Sequence, residues 1–357
     1  MSNPARFAVI GTGWRARFHL RVAAADPARL EAVAVLARDQ AKADTIRAHS
    51  GVAAVTTLDE LLAHEPEFVI ADVSWPAMPG ILKELTARGV RVLAETPPAP
   101  DLAGLRDLWT TIKDESLVQV AEQYVLMPGH AARLAVIGEG VIGTPQAVEI
   151  ASTHLYHATS LIRAYLDVGT DRAVVSGRTF DTRMALPLGF DGWNTDPRPE
   201  VQASTYATLD FGDGRVGVYD FMNMQWWNPL LARRLVVRGT LGELVDDTVT
   251  SWDGHDPVTS RIEYRRTGVD MNLEGNEVVH ASFNGNVVWR NAWVGTRLSE
   301  DDLAVADNLV AAGAWARGEA EGPYSLASAC QDHALGLAIE ESARTGQDVV
   351  VADEPWA

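Results

Sequence analysis

Cysteine is almost missing from this chain: Cys330 is the only one in 357 residues. No intrachain disulfide can form, and a cysteine-rich metal cluster is excluded. Set in an apolar helical stretch, Cys330 reads as a small buried hydrophobe. Positive charge is scarce as well. Lys and Arg number 30 against 48 Asp and Glu, a net charge of −18. Phosphate backbones and anionic lipid surfaces demand a basic face, so neither nucleic acid nor a membrane is expected as a partner. No apolar run is long enough to cross a bilayer, and the residues before the first strand carry no apolar leader or twin arginine. A cytoplasmic location is the expectation. Internal repeats and low-complexity tracts are missing too.

What the chain has is a glycine turn close to its start. FAVIGTGWRA reads as a strand, Phe7 to Ile10, running into Gly11-Thr12-Gly13 and then a helix through Trp14 and Arg15. This is the G-x-G-x-x-(G/A) pattern, completed by Ala16. Gly11 permits a sharp turn off the strand, Gly13 leaves room for a pyrophosphate at the main chain, and Ala16 lets the helix pack close to the strand. Free N–H groups and the positive dipole end at the helix start favour phosphate.

Up to about residue 124, strands and helices alternate. Strands are expected at 7–10, 30–36, 68–73, 90–94 and 117–121. Between them fall helices over 13–25 and 39–49, a short one capped by Thr57 with Glu60, one from Pro79 and one over 101–113. Apolar strands separated by helices make a parallel sheet covered on both faces, with ligands beyond the carboxyl ends of its strands. Candidate cofactor residues are therefore Gly11, Thr12, Gly13, Trp14, Arg15, Arg38, Ser74, Trp75, Glu95, Thr96 and Gln123. NAD sites usually place an acid at the end of the second strand. Ala37 stands there, followed by Arg38, which can pair with a 2′-phosphate. NADP is expected, with NAD as the alternative.

Beyond residue 124 the pattern changes. A linking helix over 128–138 precedes a strand over 145–151, a helix near 157–166 and a strand-rich region from 172 to 290. Two alternating strands joined by Gly212-Asp213-Gly214 signal a hairpin. Two helices, opened by Ser299 with Asp302 and by Ser325, and a last strand over 347–352 close the chain. The fold class expected is α/β: a Rossmann dinucleotide-binding domain over 1–124, then a C-terminal α/β domain with an open, mostly antiparallel sheet over 125–357, for substrate and oligomerisation. Loops near 185–200 and 224–232 are expected to shape the pocket. The 11 tryptophans include Trp226 and Trp227, whose flat faces suit sugar C–H surfaces or a subunit interface.

Five stretches in this order resemble the glucose-fructose oxidoreductase / inositol dehydrogenase / MocA (Gfo/Idh/MocA) family: the Gly11 motif, VRVLAETPPAP at 90–100, VAEQY at 120–124, IGTPQAVEI at 142–150 and DHALGLAIEESARTGQDVVV at 332–351. The resemblance implies bound NAD(P), reversible oxidation of a sugar or cyclitol hydroxyl, and homodimers or homotetramers packed through the open sheet. The chain departs from the family where its chemistry is done. The family's Glu-Lys-Pro reads Glu95-Thr96-Pro97, and its Asp-x-x-x-His-x-x-Asp reads Thr153, His157 and Ser160. One titratable group survives, so His157 is the expected acid/base, assisted by Tyr156 or Tyr124. His154, Thr153 and Trp226 are expected at the substrate. His154 and His157 find no third ligand at convincing spacing, so no metal is expected. The reading is an NAD(P)-dependent oxidoreductase acting on a carbohydrate-like small molecule. The alternatives are an NAD-assisted glycoside-cleaving enzyme without net redox change and a catalytically silent nucleotide- or sugar-binding protein.

Overall fold

The computed structural model describes residues 3–189 and 192–357. The chain forms two compact units. The first runs to Pro128 and takes in Arg266–Val279 and Asn291–Cys330; the second holds Gly129–Arg265, His280–Arg290 and Gln331–Ala357. The first break falls four residues beyond the boundary read from the sequence. Two later stretches fold back into the first unit, which no local pattern signals.

In the first unit, strands β1 (Ala5–Ile10), β2 (Leu30–Leu36), β3 (Ala53–Val55), β4 (Phe68–Ala71), β5 (Val92–Ala94) and β6 (Val118–Val120) alternate with helices α1 (Trp14–Ala25), α2 (Gln40–Ser50), α3 (Leu58–Leu62), α4 (Met78–Ala87) and α5 (Leu102–Thr111). The sheet order is β3-β2-β1-β4-β5-β6, with every pair parallel. Strand β3 was not expected; three residues at a sheet edge carry too little pattern. Phe68, Val69, Ile70 and Ala71 of β4 are all fully buried, as a central parallel strand covered on both faces must be. Phe7 and Phe68 stack across β1 and β4 with ring centroids 5.7 Å apart. The helix Glu300–Ala316 also packs on β1 and α1. It is small where it meets the sheet: a Cβ on Gly313 would come within 2.5 Å of the Ala5 Cβ. Ser299 and Asp302 form its capping box, as expected, and Arg21 grips the Asp302 carboxylate with two hydrogen bonds.

The second unit opens with α6 (Pro128–Gly138), β7 (Pro145–Ala151), α7 (Leu155–Leu166) and β8 (Ala173–Met184). After the two-residue strands β9 (Leu188–Gly189) and β10 (Gly192–Trp193) come β11 (Glu200–Asp210), β12 (Val216–Met222), β13 (Arg234–Gly239), β14 (Gly242–Val245), β15 (Thr248–Trp252) and β16 (Pro257–Arg261), with Val349–Val351 completing the sheet. Nine strands run in the order β16-β15-β14-β13-β7-β12-β11-β8, then the last strand. Pairing is antiparallel except between β7 and β12, which are parallel. Strand β16 stops at Arg261 and a further strand runs over Glu263–Thr267; Ile262 between them has a buried side chain, and its N–H bonds the Asp247 carbonyl at 2.8 Å. Of the loop near 185–200, residues 190 and 191 lie outside the described residues.

Helix α7 lies against this sheet at close range. A Cβ on Gly217 would approach the Ile162 Cγ2 to 2.5 Å, so glycine is what admits the helix there. Arg163 of α7 forms a buried ion pair with Asp332, whose backbone carbonyl also accepts the Thr159 hydroxyl at 2.9 Å. A buried pair of this kind fixes a helix in one register, since neither charge can be left alone.

Gly11 is the position in the first unit that least tolerates change. Its φ is +130°, and a Cβ there would sit 2.1 Å from the Asp72 carbonyl oxygen. Backbone cannot move aside as a flexible side chain can. Gly11→Ala is expected to destabilise the protein by about 2 kcal/mol or more, measured as a lowered denaturant midpoint at unchanged slope.

Candidate functional site

The cofactor candidates lie along one edge of the first sheet. Because β1, β2, β4, β5 and β6 are parallel, their carboxyl ends share that edge. There the chain places Gly11–Arg15, Arg38, Ser74–Trp75, Glu95–Thr96 and Gln123. The glycine turn fits a phosphate group. Nothing lies within 4 Å of where a Gly13 Cβ would be. Side chains of Asp39, Thr57 and Asp101 cap α2, α3 and α5, whereas α1 has no side-chain cap and no acid in its first turn. Its leading N–H groups and dipole face the turn uncompensated, as an anion site requires.

Arg15 turns back from α1 into the edge. Its Nε donates to Glu95 Oε1 and its Nη2 to Gln123 Oε1 at 3.3 Å, and its guanidinium lies 5.1 Å from the Phe18 ring. Glu95 Oε2 accepts both the Thr96 N–H at 2.7 Å and the Thr96 hydroxyl at 3.1 Å. Gln123 passes the network on to Asp301 at 3.3 Å. Burial pushes the Glu95 carboxyl up, but the Arg15 charge, and His19 after it, outweigh burial and hold it below the usual carboxylate range. His19 Nδ1 and Asp72 Oδ2 are 2.8 Å apart and buried. His19, Asp72 and Glu95 offer ligand atoms within 4.8 Å of one another, yet the positive charge on Glu95 is already supplied by Arg15. Arg38 is mostly exposed at the end of β2 and donates to Asp39 at 3.2 Å; Asp39 itself caps α2. Trp14 and Trp75 are both exposed, and Tyr124 opens a short turn after β6 with its N–H on Glu122.

In the second unit the structure brings His154, Tyr156, His157 and Trp226 together. His154 precedes α7 as its N-cap, and the helix itself starts at Leu155, two residues earlier than the start read from the sequence. Leu155 has a φ of +35°, and its N–H bonds the Tyr219 hydroxyl at 3.3 Å. The His154 ring stands 5.3 Å from both the Tyr156 and the His157 rings and 5.1 Å from Trp226. Trp226 in turn stacks on Phe221 at 5.2 Å with 9° between planes. Buried Gln225 holds the Trp226 loop in place, donating to Ala151 at 2.8 Å while accepting from Met222. Thr153 is fully buried, and Ser160 turns its hydroxyl back onto the His157 carbonyl at 2.9 Å.

Burial, helped by the neighbouring His157, lowers His154 to about 4. It is therefore a neutral ring near pH 7. Its Nδ1 is buried without a hydrogen-bond partner, as is Ser152 Oγ. Sequence reasoning missed Tyr219, Phe221 and His333, whose ring lies 5.7 Å from Tyr156. The alternation Gly217, Tyr219, Phe221 along β12 was the available signal for the first two. His333 had only its place in an apolar helix.

A parallel sheet in 3-2-1-4-5-6 order with an uncapped glycine turn at its first crossover defines a dinucleotide-binding Rossmann domain. Residues 5–123 match the model of the oxidoreductase family with NAD-binding Rossmann fold, Gfo/Idh/MocA. That match covers a third of the chain, the part that forms the parallel sheet, and it makes this part similar to NAD-binding oxidoreductase domains. Among curated proteins, none matches the sequence. The whole fold is shared with solved structures at low identity. A myo-inositol dehydrogenase from Corynebacterium glutamicum is 18% identical with a TM-score of 0.67, covering 98% of this chain and 99% of its own. An Agrobacterium radiobacter oxidoreductase in complex with NAD+, L-tartaric acid and magnesium is 17% identical with a TM-score of 0.67, covering 96% and 97%. The WlbA dehydrogenase from Bordetella pertussis in complex with NADH and UDP-GlcNAcA is 16% identical with a TM-score of 0.64, covering 98% and 99%.

Two histidines of the second unit titrate far below their unfolded value. Burial takes His130, bonded to Tyr165 at 2.9 Å, down to about 3, and His154 lies at about 4. From about pH 6.5 downward the unfolded chain takes up protons that the folded chain refuses, so stability falls with pH across that window. The denaturant midpoint is expected to drop between about pH 7 and pH 4.5, and less steeply in His154→Asn and His130→Asn; equal slopes in wild type and variants would contradict these environments.

Proposed function

We propose that the protein oxidises, or in reverse reduces, a hydroxyl-bearing carbon of a sugar, cyclitol or glycoside, with NADP preferred over NAD. The carrying observation is the cluster on the second unit: an imidazole at His157, a neutral imidazole at His154, the Tyr156 hydroxyl and the stacked faces of Trp226 and Phe221, brought together at the start of α7. Flat aromatic faces beside unpaired polar atoms suit a polyhydroxylated ring. Ser152 Oγ and His154 Nδ1 stand ready for substrate hydroxyls, because a buried polar atom without a partner is costly until one arrives. Neighbours crystallised with tartaric acid or UDP-GlcNAcA support a substrate of that kind.

A nicotinamide held at the carboxyl edge of the first sheet would supply the hydride acceptor or donor. The chain's own groups do the rest. As the C–H bond of the alcohol breaks with its electron pair, His157 takes the hydroxyl proton; in the reverse direction it returns that proton to the alkoxide oxygen. His154 stays neutral and positions an oxygen instead. Thr96 stands where the family's lysine would be and cannot exchange a proton near neutrality. The exposed Arg38 at the end of β2 supports the 2′-phosphate preference. The protein would assemble as a homodimer or homotetramer through the open sheet, which exposes Phe180 and Tyr206 with rings 6.1 Å apart.

His157→Ala is expected to lower turnover by about a hundredfold or more while leaving cofactor affinity unchanged, read by steady-state kinetics on a sugar or cyclitol panel beside calorimetric titration. Unchanged turnover would remove His157 from the chemistry. Arg38→Ala is expected to weaken NADPH by about tenfold and NADH hardly at all. Equal effects on both would remove the 2′-phosphate role.

A further inference from the structure

The charge at the carboxyl edge of β5 is arranged in an unusual way. In a sheet of this order the adenosine half of a dinucleotide lies over β2, and the nicotinamide half lies on the side of β4, β5 and β6. At the end of β5 stand Glu95, Thr96 and Pro97, with no cation among them. The cation comes from another element: Arg15, in the first turn of α1, lays its guanidinium on Glu95, and both side chains are largely buried, at 13% and 14% exposure. Gln123 and the Phe18 ring hold the other side of the guanidinium, and Thr96 holds the second oxygen of Glu95. Arg15 is thus neither a free phosphate ligand nor a proton donor, because a guanidinium does not titrate in a protein.

The nicotinamide ring carries a positive charge when oxidised and none when reduced. A guanidinium close to it disfavours the oxidised form, and a carboxylate favours it. In a partly buried edge such effects are weakly screened. We infer that Arg15 and Glu95 form a balanced charge pair at the nicotinamide side, and that this balance sets the relative affinity for oxidised and reduced cofactor. The inference rests on the cofactor reading above. His19, Asp72 and Asp301 are the other ionisable groups facing the pair, and none of them changes in the variants below.

The test is a cycle of four proteins: wild type, Glu95→Gln, Arg15→Met and the double variant, each titrated calorimetrically with NADP+ and NADPH, then with NAD+ and NADH. Glu95→Gln leaves the guanidinium uncompensated and should weaken oxidised relative to reduced cofactor by about threefold or more. The double variant has lost both charges, so its ratio should return to that of wild type. Should Glu95→Gln fail to fold, Arg15→Met reads the same quantity with opposite sign at about pH 9, where the orphaned carboxyl is ionised. A ratio that stays at the wild-type value in Glu95→Gln overturns the inference. So does a double variant whose ratio departs further than either single one, which would mean that the pair only holds the loop in shape. A wild type that binds none of the four nucleotides would instead bring down the cofactor reading itself.

Discussion

The approach of Gly11 to the Asp72 carbonyl is the constraint on which the first unit depends. Strand β1 can turn off the sheet beside β4 only because residue 11 has no Cβ. That turn aims the uncapped end of α1 along the carboxyl edge, and Arg15 reaches Glu95 only from there. A side chain at residue 11 would shift the turn, and with it the phosphate site and the charge pair together. The buried ladder beneath, centred on Phe7 and Phe68, keeps this edge rigid.

The second unit solves a different problem. It must hold a few polar groups in an aromatic surround without letting the helix that carries them slip. Glycine at residue 217 brings α7 onto the sheet, and the buried pair of Arg163 and Asp332 fixes its register. The backbone of Leu155 is bent to a positive φ at the point where His154, Tyr156 and His157 diverge. Strain of this sort is kept where the surrounding packing over-determines it. Here the Tyr219 hydroxyl holds the Leu155 N–H, and Trp226, on its Gln225-anchored loop, lies against the His154 ring.

Much of this was legible in residue order. The Gly11 turn, the alternation of apolar strands with capped helices and the Gly212–Gly214 hairpin are local signals, and the elements they announce are present. His154, Tyr156 and His157 are neighbours in sequence, so their grouping is a local matter, whereas Trp226 joins them from a distant loop. What could not be read depends on pairing between distant segments. Strand β3 is too short to show a period. The parallel neighbour relation of β7 and β12 arises from sheet order. Arg15 on Glu95 joins residues 80 positions apart, and nothing in the x-position of a glycine motif distinguishes a buried arginine from a solvated one. His333 lay inside a stretch whose apolar rhythm masked it.

Helix Glu300–Ala316 carries a last consequence. It covers β1 and α1 and sends Asp301 to Gln123, although it is encoded some way beyond most of the second unit. The dinucleotide-binding unit is therefore not a contiguous cassette in the gene. A recombination event that transplanted only residues 1–128 would carry a sheet without the helix Glu300–Ala316 on one flank, the small-residue seam at Ala5 open to water and the network behind Glu95 cut short. Variation in what the chain binds can still come from substitutions and loop changes, around a nucleotide-binding frame that segments as far along the sequence as Cys330 help to build.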